Sequence, residues 1–263
     1  MPTTNAGDLR VHYELLGREG APLVVLSHSL GMDLSMWDPQ TPALAQRFRV
    51  LRYDTRGHGQ TAVTSGPYAL DQLAGDVLRL MDALGLARAH FCGLSLGGMI
   101  GMWLGAHAPG RIEKLVLCNT GSRIGTAERW NERIESVRRG GMKGVATAVV
   151  ERWFSPEFRE SSPEVVERAR VRLEATPPEG YAGCCAAIRD ADLGRDLAAI
   201  RPPTLVIAGA KDPATPPADG RRLADAIPQA RYVALEASHL SCLEAAEAFT
   251  SELNAFLAGD GGA

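Results

Sequence analysis

The sequence predicts an α/β fold: a mostly parallel, open β-sheet flanked by helices, with a helical lid inserted between two strands. Two observations support this fold class. Short runs rich in Val and Leu alternate with longer segments of helical periodicity, which is the pattern of successive β-α-β units. One long interval, residues 121–200, contains helical segments and no strand candidate.

Seven segments are predicted to be strands. The first, DLRVHYELLG, places apolar side chains at alternate positions, Leu9, Val11, Tyr13 and Leu15, as a half-exposed strand does. The other six are short apolar runs, typical of strands that are buried on both faces of a parallel sheet. They are PLVVLSH, FRVLRYD, AHFCGLS, KLVLCNT, PPTLVIAG and ARYVALEA.

Helical periodicity marks the segments between and after these strands. LDQLAGDVLRLMDALGL and LEAAEAFTSELNAFL each have one apolar face. Four more helical segments fill the long interval: TAERWNERIESVRR, MKGVATAVVERWF, PEVVERARVRLEA and GYAGCCAAIRDADL.

The long helical interval predicts how the chain is divided. About 80 residues without a strand are too many for a simple connection. We therefore expect a core of residues 1–120 and 201–263, with residues 121–200 as a lid over the carboxyl edge of the sheet, where open α/β sheets bind ligands. The alternative is a helical layer that only thickens the core.

Composition excludes several classes of protein. The chain has 263 residues, 45% of them hydrophobic, and a net charge of -3, so it offers no basic surface for nucleic acid. No window approaches the roughly 18 apolar residues of a membrane span, and the N-terminal segment lacks a signal-peptide pattern. Five cysteines without C-x-x-C spacing indicate free thiols. The expectation is a cytoplasmic protein with a small-molecule partner, and its oligomeric state is left open.

The segment HFCGLSLGGMIG places Ser95 in the pattern G-x-S-x-G. The pattern alone is weakly specific, but its context strengthens it. A predicted strand, RAHFC, leads into it, and a predicted helix, SLGGMIGMWLGAHA, begins at the serine. Strand, sharp turn and helix together form the nucleophile elbow, in which the serine adopts a strained backbone conformation. Ser95 is therefore the candidate nucleophile.

A serine nucleophile needs a general base and an acid that orients the base. In an elbow fold, these follow later strands in the order Ser, acid, His. Asp212 follows the strand PPTLVIAG, and His239 follows ARYVALEA, so both lie at the same sheet edge as Ser95. Asp219 and Asp225 are the alternative acids. The histidines that fit the role of base less well are His12, His90 and His107.

An oxyanion hole requires two backbone N–H groups. One is expected from Leu96, the residue after the nucleophile. The other is expected from the loop LSHSLGMDLSMW, at Leu30 or its neighbour Ser29. His28, in the same loop, is interpreted as a structural residue that supports the turn.

The order of these elements, with GLSLGG, AKDPATPP and SHLSCLE, resembles the α/β-hydrolase superfamily over essentially the whole chain. RYDTRGHGQT resembles the D-x-R-G-x-G segment that packs behind the active site in that superfamily. More narrowly, five segments are similar to those of bacterial 3-oxoadipate enol-lactonases of the protocatechuate pathway: SLGMDLSMWDPQ, NTGSRIGTAERWNERI, ERWFSPEFRE, GYAGCCAAIRDADL and DPATPPADGRRLADAIPQARYVAL.

The resemblance implies a hydrolase that opens a small anionic lactone through a Ser-His-Asp triad and an acyl-enzyme, without a cofactor or metal. The acetate side chain of such a substrate needs a charged partner, and arginine suits a carboxylate. Arg133 and Arg189 are the favoured candidates, ahead of Arg123 and Arg138. Arginines on amphipathic helices usually face water, so solvent exposure is the alternative for each.

Two further residues are candidates for substrate binding. Trp130 is expected to form a wall of the pocket and to offer its indole N–H, and Ser29 is expected beside the oxyanion hole. Other functions remain open, because general carboxylesterases and carbon–carbon bond hydrolases share this triad and lid. Some proteins of this fold are receptors with slow turnover, and fold analogy alone does not establish a substrate.

Overall fold

The apolar runs of the sequence form one eight-stranded sheet in the structure, a computed structural model that describes residues 2–259. The spatial order is β1-β2-β4-β3-β5-β6-β7-β8, in which β1 and β2 pair antiparallel, as do β2 and β4, and all later pairs are parallel. The strands are β1 (Thr3–Ala6), β2 (Leu9–Leu16), β3 (Leu23–Ser27), β4 (Arg49–Tyr53), β5 (Ala89–Leu94), β6 (Ile112–Cys118), β7 (Thr204–Gly209) and β8 (Arg231–Leu235). The predicted fold class, a mostly parallel α/β sheet, is confirmed.

Two strands differ from the sequence prediction. β1 was not predicted, because its four residues are mostly polar and its only partner is β2, at the edge of the sheet. β8 was predicted to be buried on both faces, but it is the opposite edge strand. Arg231 and Ala234 are exposed on it, because an edge strand has a neighbouring strand on one side only.

Helices cover the sheet, and three of them lie where the sequence predicted helices: α2 (Leu70–Ala83), α3 (Leu96–His107) and α11 (Ala246–Ala258). The periodicity did not predict α1 (Thr41–Leu44), α9 (Pro217–Ala226) or α10 (Ser241–Glu244). The predicted apolar face of α2 is buried, from Leu70 to Met81. α3 is apolar around its whole circumference because it is buried between the sheet and neighbouring elements. No helix among residues 2–259 is long and apolar enough to cross a membrane.

Five helices lie between β6 and β7 in the described chain: α4 (Ala127–Gly140), α5 (Lys143–Trp153), α6 (Pro156–Ser161), α7 (Pro163–Ala175) and α8 (Pro178–Asp190). The short α6 was not predicted. Side chains of α7 and α8 reach Gly31, in the loop after β3, and the α8 backbone packs against Gly57, in the loop after β4. Both loops leave the carboxyl ends of their strands. The division into core and lid remains a prediction, and residues 1 and 260–263 of the predicted core lie outside the described residues.

Candidate active site

Ser95 occupies the sharp turn between β5 and α3 in a left-handed conformation, with φ of 58° and ψ of -112°. This conformation is costly for a residue with a Cβ atom. The turn is held by neighbouring elements: the Ser95 N–H donates to the Cys118 carbonyl at 2.9 Å, and the Thr120 hydroxyl donates to the Ser95 carbonyl at 2.8 Å. The end of β6 thus stabilises the strained residue.

The two glycines of the motif are required by close packing. A Cβ atom at Gly93 would lie 2.0 Å from the Gly97 carbonyl oxygen, and one at Gly97 would lie 2.2 Å from the Ser27 carbonyl oxygen. Neither position has room for a side chain. The G-x-S-x-G spacing therefore reflects the approach of α3 to β3 and β5, and the turn presents Ser95 at the carboxyl end of β5.

Asp212 and His239 form a buried hydrogen-bonded pair. The Nδ1 atom of His239 lies 2.8 Å from Oδ2 of Asp212. The same oxygen accepts hydrogen bonds from the Thr215 hydroxyl at 2.7 Å and from the Asn119 amide at 3.0 Å. Burial alone would raise the pKa of Asp212, but attraction to His239 and these hydrogen bonds lower it to about 2. Asp212 is therefore a carboxylate at any ordinary pH.

The alternative acids and bases lie in other environments. Asp219 is paired with Arg222 on its own helix, and Asp225 is exposed. Of the other histidines, His12 is bonded to Asp54, His90 lies at the start of β5, and His107 is exposed. The structure thus brings Asp212, and none of the alternatives, to His239.

Ser95 and His239 line one small cavity between the sheet edge and the helices α4, α5 and α8. Most of its wall is apolar or aromatic, and its other polar side chains belong to Ser29, Arg133, Arg152 and Tyr181. The cavity is lined by Ser29, Leu30, Ser95, Ile124, Trp130, Arg133, Val149, Arg152, Trp153, Tyr181, Ile188, Ala214 and His239. An apolar pocket with a few convergent polar groups is the usual form of a small-molecule site.

Leu30 lines the same cavity as Ser95, and Leu96 follows Ser95 in the chain. Leu96 is the first residue of α3, so its N–H has no partner within the helix. The Leu30 N–H donates to no other group in the described part of the chain. The neighbouring Ser29 carbonyl is occupied, because it accepts from Nδ1 of His28 at 2.8 Å and from the Met32 N–H at 3.1 Å.

His28 determines the orientation of this peptide unit. The Thr55 N–H donates to Nε2 of His28 at 2.9 Å, so the proton of the neutral ring is on Nδ1, which donates to Ser29. A trans peptide is planar, so the Leu30 N–H points away from the Ser29 carbonyl that His28 holds. Burial lowers the pKa of His28 and keeps the ring neutral.

His58, from the D-x-R-G-x-G segment, supports the next peptide of the same loop. Its Nε2 atom accepts from the Gly31 N–H at 3.0 Å. Burial and the adjacent His28 lower the pKa of His58 to about 3. The segment is anchored by Arg56, whose guanidinium makes two 2.7 Å hydrogen bonds to the Asp76 carboxylate. Sequence reasoning placed this segment behind the site but did not identify His58 as a contact of the oxyanion loop.

Two arginines line the cavity. Arg133, on α4, was predicted; its Nη1 atom donates to the Tyr181 hydroxyl at 3.1 Å. Arg152, at the end of α5, was missed. Among residues 2–259 neither guanidinium forms an ion pair, and burial, together with the charge of Arg133, lowers the pKa of Arg152. The signal that identifies Arg152 is its i, i+3 spacing from Val149, which lines the same cavity.

The other predicted lid residues are placed differently. Arg189 does not line the cavity and is bonded to Asp190 and Asn131. Arg123 and Arg138 are exposed and pair with surface carboxylates. Trp130 lines the cavity as expected, but its indole N–H donates to the Ile124 carbonyl at 2.6 Å and is not available to a ligand.

Comparison with known proteins places this geometry in a wider group. The model of the alpha/beta hydrolase fold family matches residues 22–246. The 3-oxoadipate enol-lactonase 2 of Acinetobacter baylyi is 42% identical over 255 residues, which cover 97% of this chain and 96% of that protein.

Two solved structures extend the comparison. The enol-lactonase from Burkholderia xenovorans LB400 has a TM-score of 0.97 and 49% identity, and the match covers 98% of this chain and 100% of that chain. A thermophilic esterase from Thermogutta terrifontis, solved with malate bound, has a TM-score of 0.90 and 30% identity over 95% of this chain and 93% of its own. The similarity to each protein includes the helices between β6 and β7.

Proposed function

The chain belongs to the α/β-hydrolase fold family, and on that premise we propose that it is a serine hydrolase that opens 3-oxoadipate enol-lactone to 3-oxoadipate in aromatic catabolism. The observation that carries the proposal is the similarity to enol-lactonases over nearly the whole chain, 42% to one curated relative and 49% to one solved structure. This similarity includes the helices that line the cavity, and those helices contribute most of the groups that would contact a substrate.

Ser95 is the proposed nucleophile. His239 removes the proton from the Ser95 hydroxyl, and the serine oxygen attacks the lactone carbonyl. Asp212 holds Nδ1–H of His239, leaves Nε2 as the basic atom, and stabilises the imidazolium that forms. The lowered pKa of Asp212 supports this role, because a carboxylate with a pKa of about 2 remains charged while His239 gains and loses its proton.

Leu30 and Leu96 provide the proposed oxyanion hole. Their N–H groups donate to the carbonyl oxygen as it becomes an alkoxide, and the N-terminal end of α3 adds partial positive charge. The ring C–O bond then breaks. Its electron pair leaves on the enol oxygen as an enolate, which takes up the proton that His239 removed from Ser95 and becomes the 3-oxo group, so His239 is again a neutral base.

The opened chain stays attached to Ser95 as an acyl-enzyme, because the leaving group and the acyl group belong to one molecule. His239 then removes a proton from a water molecule, whose oxygen attacks the ester carbonyl. The tetrahedral intermediate collapses, Ser95 recovers its proton, and 3-oxoadipate leaves. This sequence uses one water molecule and needs no cofactor or metal.

Arg133 and Arg152 are the proposed partners of the substrate carboxylate. Two neighbouring guanidinium groups without an ion pair repel each other, and an anion between them lowers that repulsion. Arginine also matches the geometry of a carboxylate. A related esterase was solved with malate, a dicarboxylate, bound. Ser29 lines the same cavity, and Trp130 contributes its ring as a wall.

Direct assay tests the proposal. Freshly generated 3-oxoadipate enol-lactone is added to the purified protein and to the Ser95→Ala variant, and the ultraviolet absorbance of the lactone is followed. Many turnovers per molecule are expected for the wild type and none above background for Ser95→Ala. A wild type that hydrolyses 4-nitrophenyl acetate but not the lactone contradicts the proposed substrate. A single slow turnover that leaves an adduct indicates a receptor.

A further inference from the structure

Asn119 occupies the turn at the carboxyl end of β6, and sequence reasoning did not select it. Its φ of 43° is in the left-handed region, which asparagine tolerates better than most residues with a side chain. Its N–H donates to the Ile207 carbonyl at 2.8 Å, which ties the turn to β7. The side chain is buried, with only 2% of the residue exposed. Every polar atom of this side chain therefore needs a partner inside the protein.

The carboxamide of Asn119 makes three hydrogen bonds. Its Nδ2 atom donates to Oδ2 of Asp212 at 3.0 Å and to the Ser238 carbonyl at 3.1 Å. Its Oδ1 atom accepts from the Ser241 hydroxyl at 2.5 Å. Only one orientation of the amide fits, because a reversed group would place Oδ1 against a carboxylate and a carbonyl oxygen.

We propose that Asn119 is a positioning residue for the Asp212–His239 pair. Its amide nitrogen holds two acceptors: the Asp212 carboxylate oxygen that is bonded to His239, and the carbonyl oxygen of Ser238, which precedes His239. The inference rests on the proposed function, in which this pair activates Ser95. The amide joins the loop after β7 to the loop after β8, and it does so beside the backbone hydrogen bond from the Lys211 N–H to the Ala237 carbonyl at 3.0 Å. Ser241, on α10, orients the amide.

The Asn119 amide also moderates the charge that His239 meets. Oδ2 of Asp212 accepts three hydrogen bonds, so its negative charge is shared among three donors. Removing one donor leaves more of this charge to face the imidazolium that forms during catalysis. The other charged groups near the pair are Lys211 in the loop after β7, Arg133 on α4, Arg152 on α5, Asp219 on α9 and Glu244 on α10, and all stay unchanged in the variants below.

The test compares Asn119→Ala and Asn119→Asp with the wild type. The control is Thr204→Val, which loses a buried side-chain hydrogen bond of 2.9 Å at the opposite end of β7. Rates are measured against pH with both 4-nitrophenyl acetate and the enol-lactone, and Tm is measured for each variant. For Asn119→Ala we expect kcat to fall about tenfold with KM within about twofold, since a positioning contact acts on the transition state.

The pH profile separates positioning from mere stability. In Asn119→Asp a second carboxylate lies against Asp212, so the acid limb of kcat/KM moves to higher pH by about one unit. Thr204→Val lowers Tm and leaves the limb where it is. Ser241→Ala is a smaller change that is expected to lower kcat about threefold. It replaces the Asn119 variants in the test if those do not fold.

An unchanged acid limb in Asn119→Asp, or loss of kcat no greater than in Thr204→Val, overturns the proposal. If Ser241→Ala is the only variant of the three that folds, a wild-type kcat in Ser241→Ala also overturns the proposal. The two substrates separate this result from failure of the proposed function. If the wild type hydrolyses only the aryl ester, the assignment of the lactone as substrate fails. The Asn119 variants are then compared with the wild type on the ester alone, which still tests the positioning role.

Discussion

The Nδ1 atom of His28 donates to the Ser29 carbonyl oxygen at 2.8 Å, and this contact sets the direction of the Leu30 N–H on the other side of the peptide plane. Sequence reasoning interpreted His28 only as a support for the turn. In the structure His28 supports the peptide unit between Ser29 and Leu30, and the N–H of that unit is a proposed oxyanion donor.

His28→Ala is therefore expected to lower kcat for the enol-lactone about 100-fold with KM within about twofold, because a misdirected oxyanion donor weakens transition-state binding alone. Steady-state kinetics measure both constants. His90→Ala is the matched control, since it removes a buried histidine at the start of β5. Equal loss of kcat in both variants is evidence against a local effect on the loop.

Arg152→Met is expected to raise KM for the lactone about tenfold or more, because a hydrogen-bonded charge pair with the substrate is lost. Hydrolysis of neutral 4-nitrophenyl acetate should change by less than about twofold. Arg189→Met removes the same type of side chain outside the cavity and should leave both substrates unaffected. If the Arg152 variant loses activity on the two substrates to the same extent, the arginine does not act through the carboxylate.

Gly97→Ala is expected to lower the free energy of unfolding by about 2–4 kcal/mol, since its Cβ atom would lie 2.2 Å from the Ser27 carbonyl oxygen. Urea denaturation measures the change. Gly144→Ala, on α5, is the control, because a Cβ atom there meets nothing within 4 Å. The control should stabilise the protein by up to about 1 kcal/mol. A Gly97→Ala protein of wild-type stability would contradict the close packing of α3 on β3.

Stability is expected to fall as the pH decreases from about 6.5 toward about 3. His58 has a folded-state pKa of about 3 because of burial and the adjacent His28, whereas in the unfolded chain its pKa returns to about 6.5. Between these values the unfolded state binds a proton that the folded state does not. The free energy of unfolding therefore decreases as the pH falls, by up to about 1.4 kcal/mol per unit, and His28 adds to the decrease.

The variant His58→Gln tests the source of this slope. Glutamine keeps an acceptor for the Gly31 N–H but does not titrate, so the dependence on pH should become shallower by about 1 kcal/mol per unit. Urea denaturation at several pH values measures it. The exposed His107→Gln should retain the wild-type slope. Identical slopes in all three proteins would show that other groups cause the acid sensitivity.

The sequence by itself determined the order of the strands and helices, the elbow at Ser95 and the loops that carry Asp212 and His239. These features are local: apolar runs mark the strands, and parallel strands bring residues that follow them to one edge of the sheet. The same local reasoning missed β1 and misjudged the exposure of β8, because a strand's place at an edge depends on which strands pair with it.

Only the tertiary structure decided which lid arginine faces the cavity and which polar side chains support the candidate site. Arg189 and Arg152 lie at the ends of similar amphipathic helices, and only Arg152 contributes to the cavity. Which face of a helix points toward the cavity depends on how the helix packs against distant parts of the chain. The sequence of the helix alone does not specify that packing. Asn119 and His58 act through contacts across 27 or more residues, such as the bond from the Gly31 N–H to His58, and the tautomer of His28 is set by the Thr55 N–H, 27 residues away. Their roles follow from the folded arrangement of loops that no local pattern brings together.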